Sequence, residues 1–525
     1  MPIAAPAHAV PTPTISTAKL KAMATQVSQK NSIIETGVAT GRIDVDGNVR
    51  PITVIGNRKI RETFEPGCVQ QAVNSASAPG IASFILNPDA HFGYGAPVGC
   101  TMVSPTHIYP GPVGVDIKCS MSLLQLDLPE EAVADKRVRR QVINEIELRT
   151  PTGAGKGQRS VPLSRAVSPE LGRQVVTQGA NPGVLDQLGI PVDWAERCED
   201  AYHMGHDRTR GALESRLDMI LGKNLMPAFE EKIRQLGSYG GGNHFGECEV
   251  VEVANNDRAR AVADTFGLSD GGIAFLSHCG SRGFGYQQAN RQFKTMESYF
   301  ESHGIDYPAG DRHLVYAELG SDLANDYLDD MALAANFATV NHLLINALVL
   351  EAFQTVFTGV TGRLVYFISH NIAREEPVDG KTQWVHRKGA TRAFPAGHRE
   401  LAATPFAETG HPILLPGNPQ GGSAVMVADP GAELSAYSVN HGAGRVMGRR
   451  NAYRTLDQRE IDASFADADI VTNCRFYPRD EAPAVYKNFD DVIDSVKTAG
   501  LASEVARLRA RFVIKDADNK YGGAA

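Results

Sequence analysis

Residues 273–285 read Ile-Ala-Phe-Leu-Ser-His-Cys-Gly-Ser-Arg-Gly-Phe-Gly, an apolar run followed by a glycine-rich turn. A run this short, bounded by glycines, is typical of a buried strand rather than of a helix. The turn that ends the run carries an imidazole and a hydroxyl group, on His278 and Ser281. The stretch therefore predicts a core strand whose end presents polar side chains.

The same pattern recurs along the chain. Short apolar runs lead into loops that combine glycine with histidine, asparagine, aspartate or serine, at residues 113–119, 236–247, 364–371, 413–427 and 436–445. Helical periodicity separates these runs, at residues 130–148, 210–221, 228–236, 321–357 and 489–512. The chain shows neither an internal repeat nor a clear linker. We therefore expect one α+β (mixed α/β) domain whose strand ends converge on a single site.

Further elements are expected around these runs. Strands are predicted at residues 49–55 and 81–86, and the second strand leads into a polar loop at residues 87–91. The strongest helical pattern, at residues 321–357, predicts a long buried helix. Prolines in residues 1–32 predict a loosely structured N-terminal arm, with a helix near residues 19–27.

The composition limits the class of protein. The 525 residues are 42% hydrophobic and 21% charged, as expected of a globular chain. The formal net charge of −8 argues against binding nucleic acid by bulk electrostatics, so a nucleic-acid partner would need a focused basic site. Seven cysteines, an odd number, do not suggest a disulfide framework. We expect a cytoplasmic protein with no targeting segment and no membrane-spanning segment.

Five residues are candidate metal ligands. Residues 114–119 (Gly-Val-Asp-Ile-Lys-Cys) place Asp116 and Cys119 close enough to reach one metal, or for the sulfur to bridge two. By itself this pair is more typical of a turn and a buried cysteine. His244, His278 and His370 lie in similar surroundings at the ends of apolar runs, and the five together suit a two-metal centre. The ligand types leave zinc, manganese and iron open.

A second group of residues could bind a nucleotide. Residues 440–445 (Asn-His-Gly-Ala-Gly-Arg) place His441, a possible nucleophile toward phosphorus, in a loop whose backbone N–H groups can approach phosphate oxygens. Arg445 could pair with the phosphate. A glycine-rich loop at residues 415–423 and a lysine, Lys515, add possible donors. By itself, the loop at residues 440–445 is more typical of a glycine-rich turn with a surface histidine. The loop at residues 415–423 is equally typical of a hairpin connection, and a lone lysine is typical of a solvated side chain.

Eight motifs, in order, resemble those of the RtcB family of GTP-dependent RNA-splicing ligases. They lie at residues 88–95, 114–119, 242–247, 278–283, 370–371, 386–390, 441–445 and 480–483. The resemblance implies one large RtcB-like ligase domain over residues 33–516, with mixed sheets around a deep metal- and nucleotide-binding cleft. Residues 517–525 would then form a C-terminal tail.

The resemblance also implies roles for individual residues. Cys119 would bridge two Mn²⁺ ions, with Asp116 and His244 completing the protein ligands of one ion and His278 and His370 those of the other. His441 would become guanylylated, and Asp89 would be a further catalytic carboxylate near the second metal. The residues implied around the guanine nucleotide are Asn243, Glu247, Asn371, Asn418, Ser423, Gly442, Ala443, Gly444 and Lys515.

The implied reaction joins RNA 3′-phosphate or 2′,3′-cyclic phosphate ends to 5′-hydroxyl ends, in RNA repair or tRNA splicing. GTP would be the co-substrate, through a guanylyl-histidine intermediate. Two alternatives stay open: a nucleotidyltransferase that caps RNA or DNA 3′-phosphate ends with GMP, and a GTP-independent two-metal phosphoesterase. The need for an accessory activating protein is also open.

The chain departs from the usual family motifs at several positions. Lys118 and Ser120 stand where glycines usually flank the bridging cysteine, Asn418 replaces a serine, and His342 replaces an arginine. These changes suggest a divergent paralogue whose nucleic-acid specificity is open. Lys118 has two interpretations, either a residue that meets a substrate phosphate or a solvated loop residue.

Overall fold

The computed structural model describes residues 32–46, 50–153, 167–209 and 211–516. The predicted helix near residues 19–27 and the predicted tail at residues 517–525 lie outside the described residues. All but the last residue of the predicted N-terminal arm lie outside them too. The predicted domain boundaries therefore stay predictions.

Strands carry most of the residues predicted for the site. In the described part of the chain they are β1 (Ile34–Gly37), β2 (Thr40–Ile43), β3 (Ile52–Ile55), β4 (Ser83–His91), β5 (Val98–Ser104), β6 (His107–Ile108), β7 (Ser120–Pro129), β8 (Phe245–Val253), β9 (Gly272–Cys279), β10 (Ala317–Glu318), β11 (Gly362–Ser369), β12 (Asn371–Val378), β13 (Lys381–Lys388), β14 (Ala390–Arg392), β15 (Pro412–Asn418), β16 (Gly422–Ala428), β17 (Ser438–Asn440), β18 (Val471–Thr472) and β19 (Ala502–Lys515).

Helices pack around these strands. In the described residues they are α1 (Arg58–Arg61), α2 (Pro66–Ala76), α3 (Lys136–Arg149), α4 (Pro169–Gln178), α5 (Pro182–Gln187), α6 (Ala212–Gly222), α7 (Phe229–Ile233), α8 (Asp257–Phe266), α9 (Arg282–His303), α10 (Asp322–Val356), α11 (Arg449–Thr455), α12 (Gln458–Asp467) and α13 (Phe489–Thr498).

The strands form two large sheets. One sheet has the order β1-β2-β3-β4-β5-β13-β12, and the other has the order β11-β7-β9-β8-β19-β16-β15, with β18 paired to β19. Most neighbours are antiparallel, whereas β3 with β4 and β18 with β19 are parallel. The predicted mixed α+β fold is confirmed.

Antiparallel pairing brings alternate strand starts and strand ends to one edge of the second sheet. There β11 ends beside the start of β7, with Ser369 opposite Ser120. At the same edge β9 ends beside the start of β8, with His278 opposite Phe245. Finally β19 ends there, with Lys515 also opposite Phe245. The predicted convergence of strand ends is therefore observed.

Helix α10 forms the centre of the helical layer. The hydroxyl of Ser321 accepts a hydrogen bond from the backbone of Ala324 and caps the helix N-terminus. Every residue from 327 to 349 is buried, because the helix packs between α3, α4 and α9. Its length and composition are those of a membrane span, but 94% of its most apolar window is buried inside the protein. The predicted long buried helix is confirmed.

Two element predictions were wrong at their ends. Residues 489–512 were predicted as one helix, but α13 ends at Thr498 because Gly500 adopts a φ of +71°. The residues beyond it form β19, which pairs with both β8 and β16. Residues 130–148 divide into a 3₁₀ turn and α3, because Asp135 accepts a hydrogen bond from the Arg137 backbone and starts a new helix.

The predicted polar loop at residues 87–91 was also wrong. These residues continue β4, and the register between β4 and β5 shifts between Leu86 and His91. Pro88 cannot donate a ladder hydrogen bond, which suits an irregular segment of strand. The consequence is that Asp89 is fully buried instead of lying in a solvated loop.

All seven cysteines are free thiols in the structure, and six of them are buried. The prediction that they form no disulfide framework is confirmed. The cytoplasmic location inferred from the cysteine count stays a prediction.

Candidate active site

A cleft of about 570 Å³ lies at the edge where the strands of the second sheet meet the loop after β17. Of the residues predicted for the site, those that line the cleft are Asp116, Cys119, Asn243, Glu247, His278, His370, Asn371, Asn418, His441, Gly442, Ala443, Gly444 and Lys515. His244 and Asp89 are buried directly behind this lining. Ser423 is buried in β16, where its side chain contacts Glu249.

The sulfur of Cys119 lies at the centre of the predicted metal ligands. It is 3.1 Å from Nε2 of His278 and 3.4 Å from Nε2 of His244. The same nitrogen of His244 is 2.9 Å from Oδ2 of Asp116. Cys119 directly precedes β7, so the start of that strand places the sulfur between His244, which directly precedes β8, and His278 of β9.

These side chains form two donor sets that share Cys119. One set is Asp116, Cys119 and His244, the other is Cys119, His278 and His370, and the ligand atoms within each set lie within 4.8 Å of one another. Nδ1 of His370 is buried and has no hydrogen-bond partner among the residues that the structure describes. Sulfur, imidazole and carboxylate donors at this spacing fit a pair of transition-metal ions.

Hydrogen bonds that involve backbone groups orient the two donor sets. Nδ1 of His244 is 2.8 Å from the backbone oxygen of Tyr239, which turns Nε2 toward the shared sulfur. The backbone N–H of His370 donates to the carbonyl of Cys119 at 2.9 Å. Burial lowers the pKa of His278 and His370 well below the ordinary histidine value, so both rings are neutral and keep a lone pair.

His441 lies beside the donor set that contains His370, and the ring centroids of these two histidines are 4.5 Å apart. Nδ1 of His441 is 2.6 Å from Oδ2 of Asp89 and 2.9 Å from the carbonyl oxygen of Gly389. Both neighbours are acceptors, so Nδ1 carries the hydrogen and the lone pair is on Nε2. The structure therefore places Asp89 against His441, outside the two donor sets.

Gly444 makes this contact between Asp89 and His441 possible. Its φ is +74°, and a Cβ atom at this position would lie 2.3 Å from the backbone oxygen of Asp89. Gly442 is similarly close to the backbone of Pro416, at 2.9 Å. The glycines predicted to admit a phosphate thus also allow the His441 loop to pack directly on β4.

A buried ion-pair network forms the far wall of the cleft. Nζ of Lys515 is 2.9 Å from Oε2 of Glu481, and Arg449 and Arg445 approach Oε1 at 2.7 and 3.3 Å. Burial alone would raise the pKa of Glu481, but Lys515, Arg449 and Arg445 lower it to about 2. Lys515 is thus a buried residue with a fixed partner, not a solvated lysine.

The pKa of Glu247 is shifted in the opposite direction to that of Glu481. Burial raises the pKa of this carboxyl to about 8, although Lys515 acts against the shift. Its Oε1 atom is buried at the wall of the cleft, without a hydrogen-bond partner in the described part of the chain. A ligand that supplies N–H donors would satisfy this atom.

Two predicted amides also stabilise the loops that they belong to. Oδ1 of Asn418 accepts from the backbone N–H groups of Gln420 and Gly421 and closes the β15–β16 hairpin. Asn371 accepts from the backbone of Gly389 at 2.9 Å. Asn243, in contrast, is exposed at the cleft.

Lys118 matches neither of its predicted interpretations. It is fully buried, and Nζ donates to the backbone oxygen of Asp200 and to the hydroxyl of Thr339, away from the cleft. His342 is also fully buried, with Nε2 2.8 Å from the carbonyl oxygen of Cys279. Both unusual residues therefore lie behind the site, where they support strands that carry candidate ligands.

The sequence patterns did not predict roles for several residues of the cleft. They include Glu481, Arg449 and Lys388, which contribute to the lining. Burial lowers the pKa of Lys388 to about 8, and its Nζ donates to the backbone oxygens of Ala96 and Tyr94. The motifs at residues 386–390 and 480–483 contained the signal, but only the fold brings them to His441.

The family model described as tRNA-splicing ligase RtcB matches residues 71–516, which is most of the chain. The chain belongs to the RtcB family. The tRNA-splicing ligase RtcB of Archaeoglobus fulgidus is 35% identical over 475 residues, which cover 87% of this chain and 93% of the relative. The RNA-splicing ligase RtcB of Mycobacterium tuberculosis is 34% identical over 454 residues, 83% of this chain and 98% of the relative.

Membership of the RtcB family confirms the resemblance on which the residue roles were predicted. The match includes every strand that contributes to the cleft, from β4 to β19, and both donor sets. The roles of the individual residues are a separate question, which depends on the chemistry of the cleft.

The buried pair of Glu481 and Lys515 predicts a specific dependence of stability on pH. A carboxyl whose folded pKa is lowered stabilises the fold above its unfolded pKa, near 4.3, and this contribution is lost as the pH falls toward 2. We expect Glu481→Gln to lower the free energy of unfolding at pH 7 by about 3 kcal/mol, from about 1.4 kcal/mol per pKa unit. The difference from wild type should shrink between pH 4.5 and pH 2.5.

Chemical denaturation at several pH values measures this difference. Glu62→Gln is the matched control, because Glu62 is exposed and forms an ion pair with Arg58 on the surface. It should change the unfolding free energy little at any pH. A Glu481→Gln difference that does not change with pH would show that the ion pair is not the source of the stability.

Proposed function

We propose that this chain is a GTP- and Mn²⁺-dependent RNA ligase that joins 3′-phosphate or 2′,3′-cyclic phosphate ends to 5′-hydroxyl ends. The names of the relatives, RNA-splicing and tRNA-splicing ligases, support an RNA ligase. The observation that carries the finer proposal is the position of His441. Its Nε2 carries the lone pair of the ring, and His441 lies in the same cleft as two donor sets that share Cys119.

The two donor sets would hold the metal ions. Asp116, Cys119 and His244 suit one ion, and Cys119, His278 and His370 suit the other. When bound, such ions neutralise charge that develops on phosphate oxygens during displacement at phosphorus. The remaining chemistry is assigned to side chains and backbone groups of the chain.

In the first step, Nε2 of His441 attacks the α-phosphorus of GTP. A nitrogen–phosphorus bond forms, the bond from the α-phosphorus to its bridging oxygen breaks, and pyrophosphate leaves. Asp89 accepts a hydrogen bond from Nδ1–H, with Oδ2 2.6 Å from Nδ1, and stabilises the positive charge that the ring gains. The backbone of Gly442 and Gly444 lets phosphate oxygens approach the loop closely.

The wall of the cleft suits a guanine base. Guanine presents N–H donors on one edge, and Glu247 offers a buried acceptor that has no partner within residues 32–46, 50–153, 167–209 and 211–516. Lys515, which lies over the ring of Phe245 at 5.7 Å, adds a cationic donor beside it. Asn243 is exposed to the same cleft and can contact the nucleotide.

The RNA ends enter after the nucleotide has been transferred. Water opens a 2′,3′-cyclic phosphate to a 3′-phosphate, and an oxygen of that phosphate attacks the phosphorus on His441, which breaks the nitrogen–phosphorus bond. A 5′-hydroxyl then attacks the activated 3′-phosphate, its proton is released, and GMP leaves. The product is a 3′,5′-phosphodiester, and His441 returns to its starting state.

The nucleotide step predicts a covalent adduct on one histidine. Incubation of the full chain with GTP and Mn²⁺ should increase the intact mass by one guanylyl group, and His441→Ala should abolish the increase. His303→Ala, at the exposed end of α9, is the matched control and should keep the adduct. A wild-type chain that gains no mass with GTP and Mn²⁺ would contradict the proposal.

The ligation step predicts the fate of a labelled 3′-phosphate strand. With GTP, Mn²⁺ and a 5′-hydroxyl partner, we expect a joined product on a gel, and without the partner a strand capped with GMP. RNA and DNA strands tested in parallel identify the nucleic acid that is joined. Capped strand that accumulates despite the partner would indicate the capping enzyme. Phosphate removal without GTP, with His441 dispensable, would indicate the phosphoesterase.

A further inference from the structure

Lys118, the residue directly before Cys119, is anchored on the side away from the cleft. Its Nζ lies 2.8 Å from the backbone oxygen of Asp200, 2.7 Å from the hydroxyl of Thr339 and 2.5 Å from Nε2 of His203. An ammonium group has three hydrogens to donate, so all of its donors are in use. The side chain is fully buried and holds the backbone next to the shared sulfur.

The backbone at Lys118 needs this anchor. Its φ of +55° is in the left-handed region, which a residue with a side chain adopts only when its surroundings enforce it. The backbone N–H donates to the carbonyl of Asn371 at 2.7 Å, and the hydroxyl of Ser120 donates to the Lys118 carbonyl at 2.5 Å. The turn that presents Cys119 is thus held through both its side chain and its backbone.

Ser369, the residue directly before His370, is anchored to Glu199, which directly precedes Asp200 in the sequence. Its backbone N–H donates to Oε2 of Glu199 at 3.0 Å, and its hydroxyl donates to the same oxygen. The Glu199 side chain is 1% exposed, and its other oxygen forms an ion pair with Arg392 at 3.1 Å. A buried carboxylate with these partners has little freedom to move.

Glu199 and Asp200 are consecutive residues, so the hydrogen bonds from Lys118 and from Ser369 both end on one dipeptide. We call Glu199 and Asp200 the brace. The brace is fixed in turn, because the Glu199 N–H donates to the carbonyl of Phe367 at 2.9 Å. Oδ2 of Asp200 forms ion pairs with Arg374 at 2.5 Å and Arg392 at 2.9 Å.

We propose that Lys118 and Ser369 are positioning residues, through which the brace sets the separation of Cys119 and His370 and thereby the metal affinity of the site. This inference rests on the proposed function, because it takes the two donor sets as metal sites. Partners of metal ligands that fix their orientation contribute strongly to affinity in metalloproteins.

The two anchors differ in which donor set they affect. Ser369 acts on His370, which belongs to one donor set only, whereas Lys118 acts on Cys119, which both sets share. Loss of the Ser369 hydroxyl should therefore weaken one metal site and leave the other unchanged. Loss of the Lys118 anchor should weaken both metal sites. A general loss of stability would also weaken both sites in the Ser369 variant, so a selective effect of that variant separates positioning from stability.

Titration of the metal-free full chain with Co²⁺ tests the inference, followed through the thiolate-to-cobalt absorption band. We expect Lys118→Met to weaken both binding steps by roughly 10-fold to 100-fold, and Ser369→Ala to weaken one by a similar factor. Ser369→Thr keeps the hydroxyl and should restore wild-type binding. Thermal denaturation of each variant without metal records any change in stability.

Arg61→Met is the matched control. Arg61 is a buried cation whose Nη1 donates to the carbonyls of Gly56, Thr40 and Val38, far along the chain from both donor sets. The control should lower the melting temperature and leave both cobalt affinities unchanged. If Lys118→Met does not fold, Ser369→Ala and its threonine rescue decide the outcome.

The failures of the two proposals are distinguishable. A wild-type chain that binds fewer than two Co²⁺ ions overturns the two-metal site and, with it, both the proposed function and the brace. A wild-type chain that binds two ions, together with folded Lys118→Met and Ser369→Ala variants of unchanged affinity, overturns the brace alone. Equal weakening in Arg61→Met would show that the effect follows stability and would also overturn it.

Discussion

The sulfur of Cys119 lies 3.1 Å from a nitrogen of His278 and 3.4 Å from a nitrogen of His244. These contacts require that the ends of β9 and β11 and the starts of β7 and β8 meet at one edge, which antiparallel pairing in this order provides. Burial raises the pKa of the Cys119 thiol, so a bound cation would have to stabilise its thiolate form between the two imidazoles. The sheet order and the metal chemistry are therefore linked through one atom.

The second constraint is the contact between Asp89 and His441, which joins the first sheet to the cleft. Asp89 belongs to β4 of that sheet, and its contact with Nδ1 of His441 leaves the lone pair of the ring on Nε2. Only a glycine at position 444 leaves room for this approach. His441 follows β17 in a small two-stranded sheet, Asp89 belongs to the first large sheet, and the donor sets lie at the edge of the second, so the cleft combines side chains from three sheets.

Local patterns in the sequence predicted the parts of the structure that depend on local physics. The long buried helix, the strand ends bearing His278 and His370, and the glycine loop after His441 follow from periodicity and composition. The single helix predicted for residues 489–512 was wrong, because the helix ends near one glycine and a strand follows it. The partners of Lys118 and Glu481 were missed because they lie far away in the chain, and only tertiary contacts bring them together.

The central claim is that one sulfur joins two metal sites beside His441. Electron paramagnetic resonance of the full chain loaded with two equivalents of Mn²⁺ tests it directly, because ions that share a bridging ligand are spin-coupled. We predict a coupled spectrum for the wild type, and the spectrum of isolated ions for Cys119→Ala. A wild-type chain with two bound Mn²⁺ ions that show only the isolated spectrum would contradict the claim.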